Sequence, residues 1–380
     1  MALNSLDTIV DFLHPVNTYA LSDDEGYKDT QLGKHLAVFE DAFPDIEEAD
    51  MVLVGCGETR GAAAFPDANL APDAVRKQFY NLFHWHKEVR VADVGNIKAG
   101  ATLQDTYAAL KAVISELLSY NKKVVVIGGS HDVTLAQYNA YASMEKVVEA
   151  TCADARIDLN MDSVAPADNF LMQMLTSSPN FVKHYNHIGF QSYLVHPTML
   201  ETIDKLRFDC YRVGRVKEDI EEMEPVIRSS DFFSFDIAAI QHSHAPANRL
   251  TPNGFNGEEA CTLMQYAGMS KQLSSLGIYG YLPQHDVHEL TAKQISHMLW
   301  YFMDGIYKSK QEAAFDDKNN FNEFHLAFAE MDTIFLQSKK TARWWMQLPD
   351  GKFLPCSKHD YITAKNNDIP ERWLRAIERS

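Results

Sequence analysis

With 380 residues, 46% of them apolar, the chain is long enough for one large α/β domain or two small ones, and it has enough apolar side chains for a real core. Its formal net charge of −17 argues against sequence-independent binding to nucleic acid or anionic membrane, because both need a basic surface. No apolar run approaches the ~20 residues of a spanning helix. The first twenty residues lack a basic segment and read as no signal peptide, and five scattered cysteines without CxxC spacing read as reduced thiols of a cytoplasmic protein.

Along the chain, short apolar runs alternate with amphipathic stretches, with no internal repeat, low-complexity segment or linker between them. Residues 51–56 and 89–94 read as buried strands. Cys56, like Cys152 further on, reads as core filler. Residues 102–120 read as a helix: Leu110, Val113, Ile114, Leu117 and Leu118 share a face, and Thr102 with Asp105 resembles a capping box. Strands are expected at 123–129, 147–154, 186–190 and 232–237. A helix is expected over 257–276 with Gly277 as its C-cap, then a strand over 278–282. Thr291 and Gln294 give a capping signature that opens a helix to about Ile306. The last seventy or so residues, with Trp344, Trp345, Trp373 and many charges, read as a helical and irregular extension whose aromatics serve packing or a subunit interface. Strands buried on both faces and alternating with helices predict a three-layer αβα domain with a mostly parallel central sheet. That domain is placed at residues 49–305, between an N-terminal extension (1–48) and a C-terminal one (306–380). Ligands in such folds bind at the carboxyl ends of strands.

Three motifs fall at expected strand ends. The first is Gly128-Gly129-Ser130-His131-Asp132, whose glycines let the backbone turn and bring His131 to the rim. In the second, Asp154-Ala155-Arg156-Ile157-Asp158-Leu159-Asn160, an extended chain puts Asp154, Arg156, Asp158 and Asn160 on one surface. The third, Ser234-Phe235-Asp236-Ile237-Ala238, runs into a loop carrying His242 and His244, spaced to face one side. Taken singly, each has a bland reading: a structural histidine, a salt-bridge cluster, a strand-end aspartate and an exposed loop pair. The signal lies in the set.

Taken together, the motifs resemble those of the ureohydrolases (arginase, agmatinase and formiminoglutamase), over about residues 49–302. That family carries GGDHS, DAHxD and SxDxD at successive strand ends and binds two manganese ions; here GGSHD, DARID and SFDIA stand in those places. Further marks are Gly57–Gly61 ahead of Ala71-Pro72-Asp73-Ala74-Val75-Arg76, then Asp93-Val94-Gly95, and Pro283, Asp286, Thr291 and Ala292 at the family's spacing. The C-terminal ending is similar to that of Bacteroidetes proteins of the formimidoylglutamase type. The resemblance implies an arginase-like fold, and a first metal on His131, Asp154, Asp158 and Asp236. It also implies substrate contacts at Asn160 and Asn169, and a homo-oligomer, trimer or hexamer.

Departures from the family are as specific as the matches. The second metal's own ligands fall on Arg156 and Ala238; a guanidinium has no lone pair and Ala offers nothing, so no second family-type metal is expected. The family's guanidinium-binding Glu becomes Gly280, and its loop His becomes Leu171. One divalent ion, Mn²⁺ first among hard cations, balances three aspartates together with Arg156. Two functions follow. One is a one-metal hydrolase of linear amidine or amide C–N bonds, with Arg156 and Asp158 as catalytic groups and a small molecule in the strand-end pocket. The other is an inactive ureohydrolase fold acting by binding or assembly, with its pocket plugged by Arg156 and Leu171. Classical binuclear arginase chemistry fits neither.

Overall fold

Side chains that alternate along the strands enter two different cores. The computed structural model describes residues 6–22, 26–62, 70–315, 317–328 and 331–378. From strand Met51–Gly55, Met51 and Leu53 join one hydrophobic cluster and Val52 and Val54 another; from Lys123–Ile127, Val125 and Ile127 join the first and Val124 and Val126 the second. A strand with apolar side chains on both faces is stable only with helices above and below. The first cluster is closed by helices Ala71–Phe79, Gly257–Met269 and Leu290–Lys310, the second by Leu103–Ser119, Thr134–Ser143 and Pro166–Thr176. This is the three-layer arrangement the alternation predicts.

The sheet's strands are β1 (Leu13–His14), β2 (Ala37–Val38), β3 (Met51–Gly55), β4 (Val91–Ile97), β5 (Lys123–Ile127), β6 (Val148–Ala153), β7 (Val182–Phe190), β8 (Asp209–Arg212), β9 (Phe232–Asp236) and β10 (Ser275–Tyr279). Their order is β1-β4-β3-β5-β10-β9-β6-β7-β8, with β2 also on β4. Every pairing is parallel except β1 with β4. The residues ahead of Ala49 therefore add two short strands to the sheet margin. Among the described residues, no helix is long and apolar enough to cross a membrane.

Thr102 caps its helix as expected, its hydroxyl accepting from the Asp105 N–H while the Asp105 carboxylate accepts from the Thr102 N–H. Two other boundaries differ. The expected helix over 257–276 ends at Met269, and Gly277 sits inside β10 rather than at a C-cap. The strand expected over 278–282 instead spans Ser275–Tyr279, pairing in parallel with β5 and β9, and this pairing outweighs the helical pattern. Nor do Thr291 and Gln294 form a capping box. Thr291 Oγ1 accepts from the Ala247 N–H, and Gln294 donates to the Gly257 carbonyl. The open first-turn N–H groups of Thr291 and Ala292 bond instead to the carboxylate of Asp286.

The C-terminal segment is the largest correction. In place of an irregular, helical extension, β11 (Phe321–Phe328), β12 (Met331–Ser338), β13 (Trp344–Gln347) and β14 (Phe353–Cys356) form an antiparallel sheet in chain order, followed by helices Lys358–Lys365 and Glu371–Glu378. Side chains from β12 and β13 enter apolar clusters on both faces, Phe335, Trp344 and Met346 on one and Leu336 and Trp345 on the other, while β11 is largely exposed, so no single period of two runs through the segment. Trp344 and Trp373 pack into its core. The sheet is tied to the larger domain through Arg228, which donates to the carbonyls of Trp344 and Cys356 and lies 4.4 Å from the Trp345 ring.

Candidate functional site

Four adjacent strands, β5, β10, β9 and β6, deliver one cluster at their carboxyl ends. After β5 the chain turns at Gly128 and Gly129, whose φ angles of +91° and +89° suit glycine, and enters a short 3₁₀ turn that carries His131. Asp236 closes β9, and Asp154 follows β6 directly. All four groups of the expected quartet are buried: His131, Asp154, Asp158 and Asp236.

His131 Nδ1 is the centre of the arrangement. It lies 2.9 Å from Asp158 Oδ2, 3.3 Å from Asp154 Oδ2 and 3.8 Å from Asp236 Oδ2. Despite these approaches, neither Nδ1 nor Asp154 Oδ1 has a partner in hydrogen-bond geometry. The opposite ring nitrogen, Nε2, is 3.0 Å from Ser234 Oγ. Without a metal, and against burial, the neighbouring acidic groups raise the His131 pKa well above its ordinary value; with a metal, an Nε2–H donated to Ser234 would leave the Nδ1 lone pair free for it, the tautomer a metal-binding histidine needs. One ligand atom from each of His131, Asp154 and Asp158 lies within 4.8 Å of the others. This donor set, one imidazole with carboxylate oxygens and no thiolate, fits a hard divalent ion.

Electrostatics points the same way. Burial, reinforced by the neighbouring Asp154 charge, pushes the Asp158 carboxyl up to about 6 and that of Asp236 up to about 7. Asp154 is held below its ordinary range against burial, through His131 and Arg156. Three buried carboxyl groups so close together do not all ionise cheaply without a cation between them.

The quartet lines a cavity of about 150 Å³, together with residues that include Arg156, Ala238, Gly280, Ser130 and Thr59. Arg156 places Nη2 3.5 Å from Asp168 Oδ1, while its Nε is buried without a hydrogen-bond partner. Gly280 has a φ of +78°, and a Cβ built on it would fall 2.6 Å from both carboxylate oxygens of Asp236. A side chain at this position and the present Asp236 exclude each other.

Other expected residues lie elsewhere. The chain leaves extended geometry after Ala153, so the alternation that put Asn160 beside Asp158 breaks down. The Asn160 side chain accepts from the Asp162 N–H, and that of Asn169 donates to the Ser163 carbonyl and accepts from Gln173. Neither residue lines the cavity. Leu171 is buried in the core and does not plug it. His242 and His244 are on an exposed loop, where His242 Nδ1 meets the Asn248 carbonyl. Sequence reasoning passed over Ser234 and Asp168, although Ser234 sits inside a quoted motif. Cys152, read as core filler, has Sγ 3.5 Å from His131 Nε2.

Elsewhere the motif pieces meet structurally: fully buried Arg76 forms a two-pronged pair with Asp93, at 2.7 and 2.9 Å. The family model for the arginase family matches residues 49–304. This chain belongs to the arginase family. The family is metal-dependent, and this arginase-family chain has relatives with two different activities. It is 21% identical over 276 residues to a formimidoylglutamase of Halalkalibacterium halodurans, covering 67% of this chain and 86% of that protein. It is 24% identical over 271 residues to an agmatinase of Neisseria gonorrhoeae, covering 66% and 84%. Among solved structures, Trypanosoma cruzi formiminoglutamase with Mn²⁺ superposes with a TM-score of 0.65 at 17% identity, covering 74% of this chain and 99% of that one. Formimidoylglutamase from Bacillus subtilis gives 0.66 at 17% identity, covering 80% and 98%.

Proposed function

We propose that this arginase-family protein is a hydrolase of linear carbon–nitrogen bonds that works with one divalent ion, Mn²⁺, held by His131, Asp154, Asp158 and Asp236. The observation that carries the reading is His131 Nδ1: buried, aimed at three carboxylates and bonded to none of them. Arg156 and Ala238, where the family resemblance puts the second metal's ligands, offer no donor, so the site holds a single ion.

A divalent ion in this position supplies a Lewis acid and lowers the pKa of an adjacent water. The chain's own residues do the rest. Ser234 fixes the tautomer and orientation of His131. Asp158 takes a proton from the attacking water. Arg156, on the cavity wall, stabilises the charge that develops on the substrate as a fixed cation. Asn160 and Asn169, engaged in local hydrogen bonds, shape the loop and the helix Pro166–Thr176 beside the cavity rather than contacting substrate. The substrate is a small molecule bound at the strand ends, and the family resemblance carries a homo-oligomer with it.

An alternative is a non-catalytic member of the family. What favours it is the pair Arg156 and Ala238 in place of metal ligands, together with Gly280 where a guanidinium-binding acid stands in relatives. Metal content decides between the two. Protein purified without chelator and dialysed against Mn²⁺ is expected to retain about one ion per chain by plasma mass spectrometry, and Asp154→Ala to lose it. No retained ion in the unaltered protein sinks the hydrolase reading.

A further inference from the structure

The cavity lining carries a charge besides those of the metal quartet. Apart from His131 and the three aspartates around it, Arg156 is the one charged side chain among the described residues lining the cavity. It is poorly committed. Its contact with Asp168 Oδ1 is 3.5 Å, well beyond the 2.7–2.9 Å of a charge-assisted bond. The other carboxylate oxygen of Asp168 already accepts from Ser163 Oγ at 2.8 Å. Arg156 Nε is buried with no partner at all. A guanidinium has five N–H donors in a fork that matches a carboxylate; here most of that capacity is unused beside an open cavity.

Outside the quartet, the lining has nothing to receive a cation. Gly280 offers no side chain, and none fits there while Asp236 keeps its position, since Cβ would lie 2.6 Å from both of its oxygens. Ala238 and Leu282 complete an uncharged surface around it. The aspartates are the cavity's remaining negative groups, and under the one-ion reading the ion and Arg156 together balance their three charges, so the lining has no charge to spare for a cation. What the substrate then meets is a balanced site with a guanidinium fork whose donors are largely unused.

We infer that the cavity selects a linear carboxamide, not a cationic amidine or guanidine, and that Arg156 is the binding residue that makes this choice by pairing with the carboxylate product and the oxygen that precedes it. This rests on the hydrolase reading above. In the reaction, the oxygen of water bonds to the carbonyl carbon and the C–N bond breaks. Both protons of the water go to the nitrogen, which leaves as ammonium, and the carboxylate remains. An amidinium would instead bring its own positive charge against Arg156, which like-charge repulsion in a partly desolvated site disfavours.

Acetate and acetamidinium are nearly the same shape and opposite in charge, so they isolate the charge preference. Binding of each is measured by isothermal calorimetry to the full-length protein, with its Mn²⁺ content verified beforehand. Acetate is expected to bind at least roughly tenfold more tightly than acetamidinium, a preference lost in Arg156→Met and kept in Arg156→Lys. Equal Mn²⁺ content and circular dichroism across the three proteins show that fold and ion are intact. Mn²⁺ retained with no preference for acetate, or with a preference unchanged in Arg156→Met, overturns this inference and leaves the hydrolase reading standing. Failure of the unaltered protein to retain Mn²⁺ overturns both.

Discussion

Two sets of residues line the cavity at the strand ends and differ in character. In one, Asp158, Asp154 and Asp236 approach His131 Nδ1 at 2.9, 3.3 and 3.8 Å yet leave it outside hydrogen-bond geometry. In the other, Arg156, Ala238 and Gly280 present a guanidinium, a methyl group and bare backbone. Positions two apart in one motif belong to different sets: Asp154 and Asp158 to the first and Arg156 between them to the second, and Asp236 and Ala238 divide in the same way. The lesson is that neighbouring positions at one strand end can carry opposite chemistries, because a single strand end contributes to both sets.

The sharpest way to break the contrast is to place metal donors in the second set. Arg156→His together with Ala238→Asp is expected to double the Mn²⁺ bound per chain, read by plasma mass spectrometry against the unaltered protein. A stoichiometry that stays unchanged would mean the two sets differ in more than ligand identity.

Support for the quartet from behind comes next. Ser234 Oγ lies 3.0 Å from His131 Nε2. Ser234→Ala is expected to weaken Mn²⁺ binding roughly 10–100-fold, measured by competition with a chelating dye, with the melting temperature of the metal-free protein changed little. An unaltered affinity would show that His131 is oriented by packing alone.

A third substitution tests whether the bare wall is a condition of the quartet's geometry. Gly280→Ala adds a Cβ 2.6 Å from both Asp236 oxygens at a φ of +78°. A destabilisation of about 1–3 kcal/mol in urea unfolding is expected, with weaker Mn²⁺ binding as Asp236 is displaced. A neutral outcome would show that Asp236 is free to move.

The mildest test is pH. In the metal-free protein, Asp158 and Asp236 carry folded-state values of about 6 and about 7, above the 3.8 of an unfolded aspartate. Between about 4 and about 7 the folded state therefore holds more protons than the unfolded one, so stability falls as pH rises through this window. Thermal melts with chelator should show a melting temperature that declines over it, and Mn²⁺ should remove or reverse the slope. A melting temperature that rises with pH in chelator would contradict the close packing of these carboxyl groups.

The C-terminal sheet shows the same dependence on context at larger scale. Its strands were not visible as strands because β12 and β13 are apolar toward both faces and β11 is largely exposed, which leaves neither a clean alternation nor a long apolar run. The strands of the central sheet were visible because burial on both faces leaves near-continuous apolar runs. Helix 257–276 failed for the opposite reason: Ser275–Tyr279 is apolar enough for either element, and pairing with β5 and β9 chose the strand.

From the sequence alone came the three-layer fold, the strand ends that carry His131, Asp154, Asp158 and Asp236, and the odd residues Arg156, Ala238 and Gly280. These are local matters: hydrophobic period, glycines that permit a turn, and residue types at fixed spacing. The tertiary structure decided which of them meet. It moved Asn160 and Asn169 into local hydrogen bonds, left Leu171 in the core, and put Ser234 and Cys152 behind His131. It set Asp168 at arm's length from Arg156 and pressed Gly280 against Asp236. The physical reason is that a sequence pattern specifies which face of its own element a side chain takes, whereas contacts between elements depend on the order in which β5, β10, β9 and β6 lie side by side, and no short stretch of chain encodes that order.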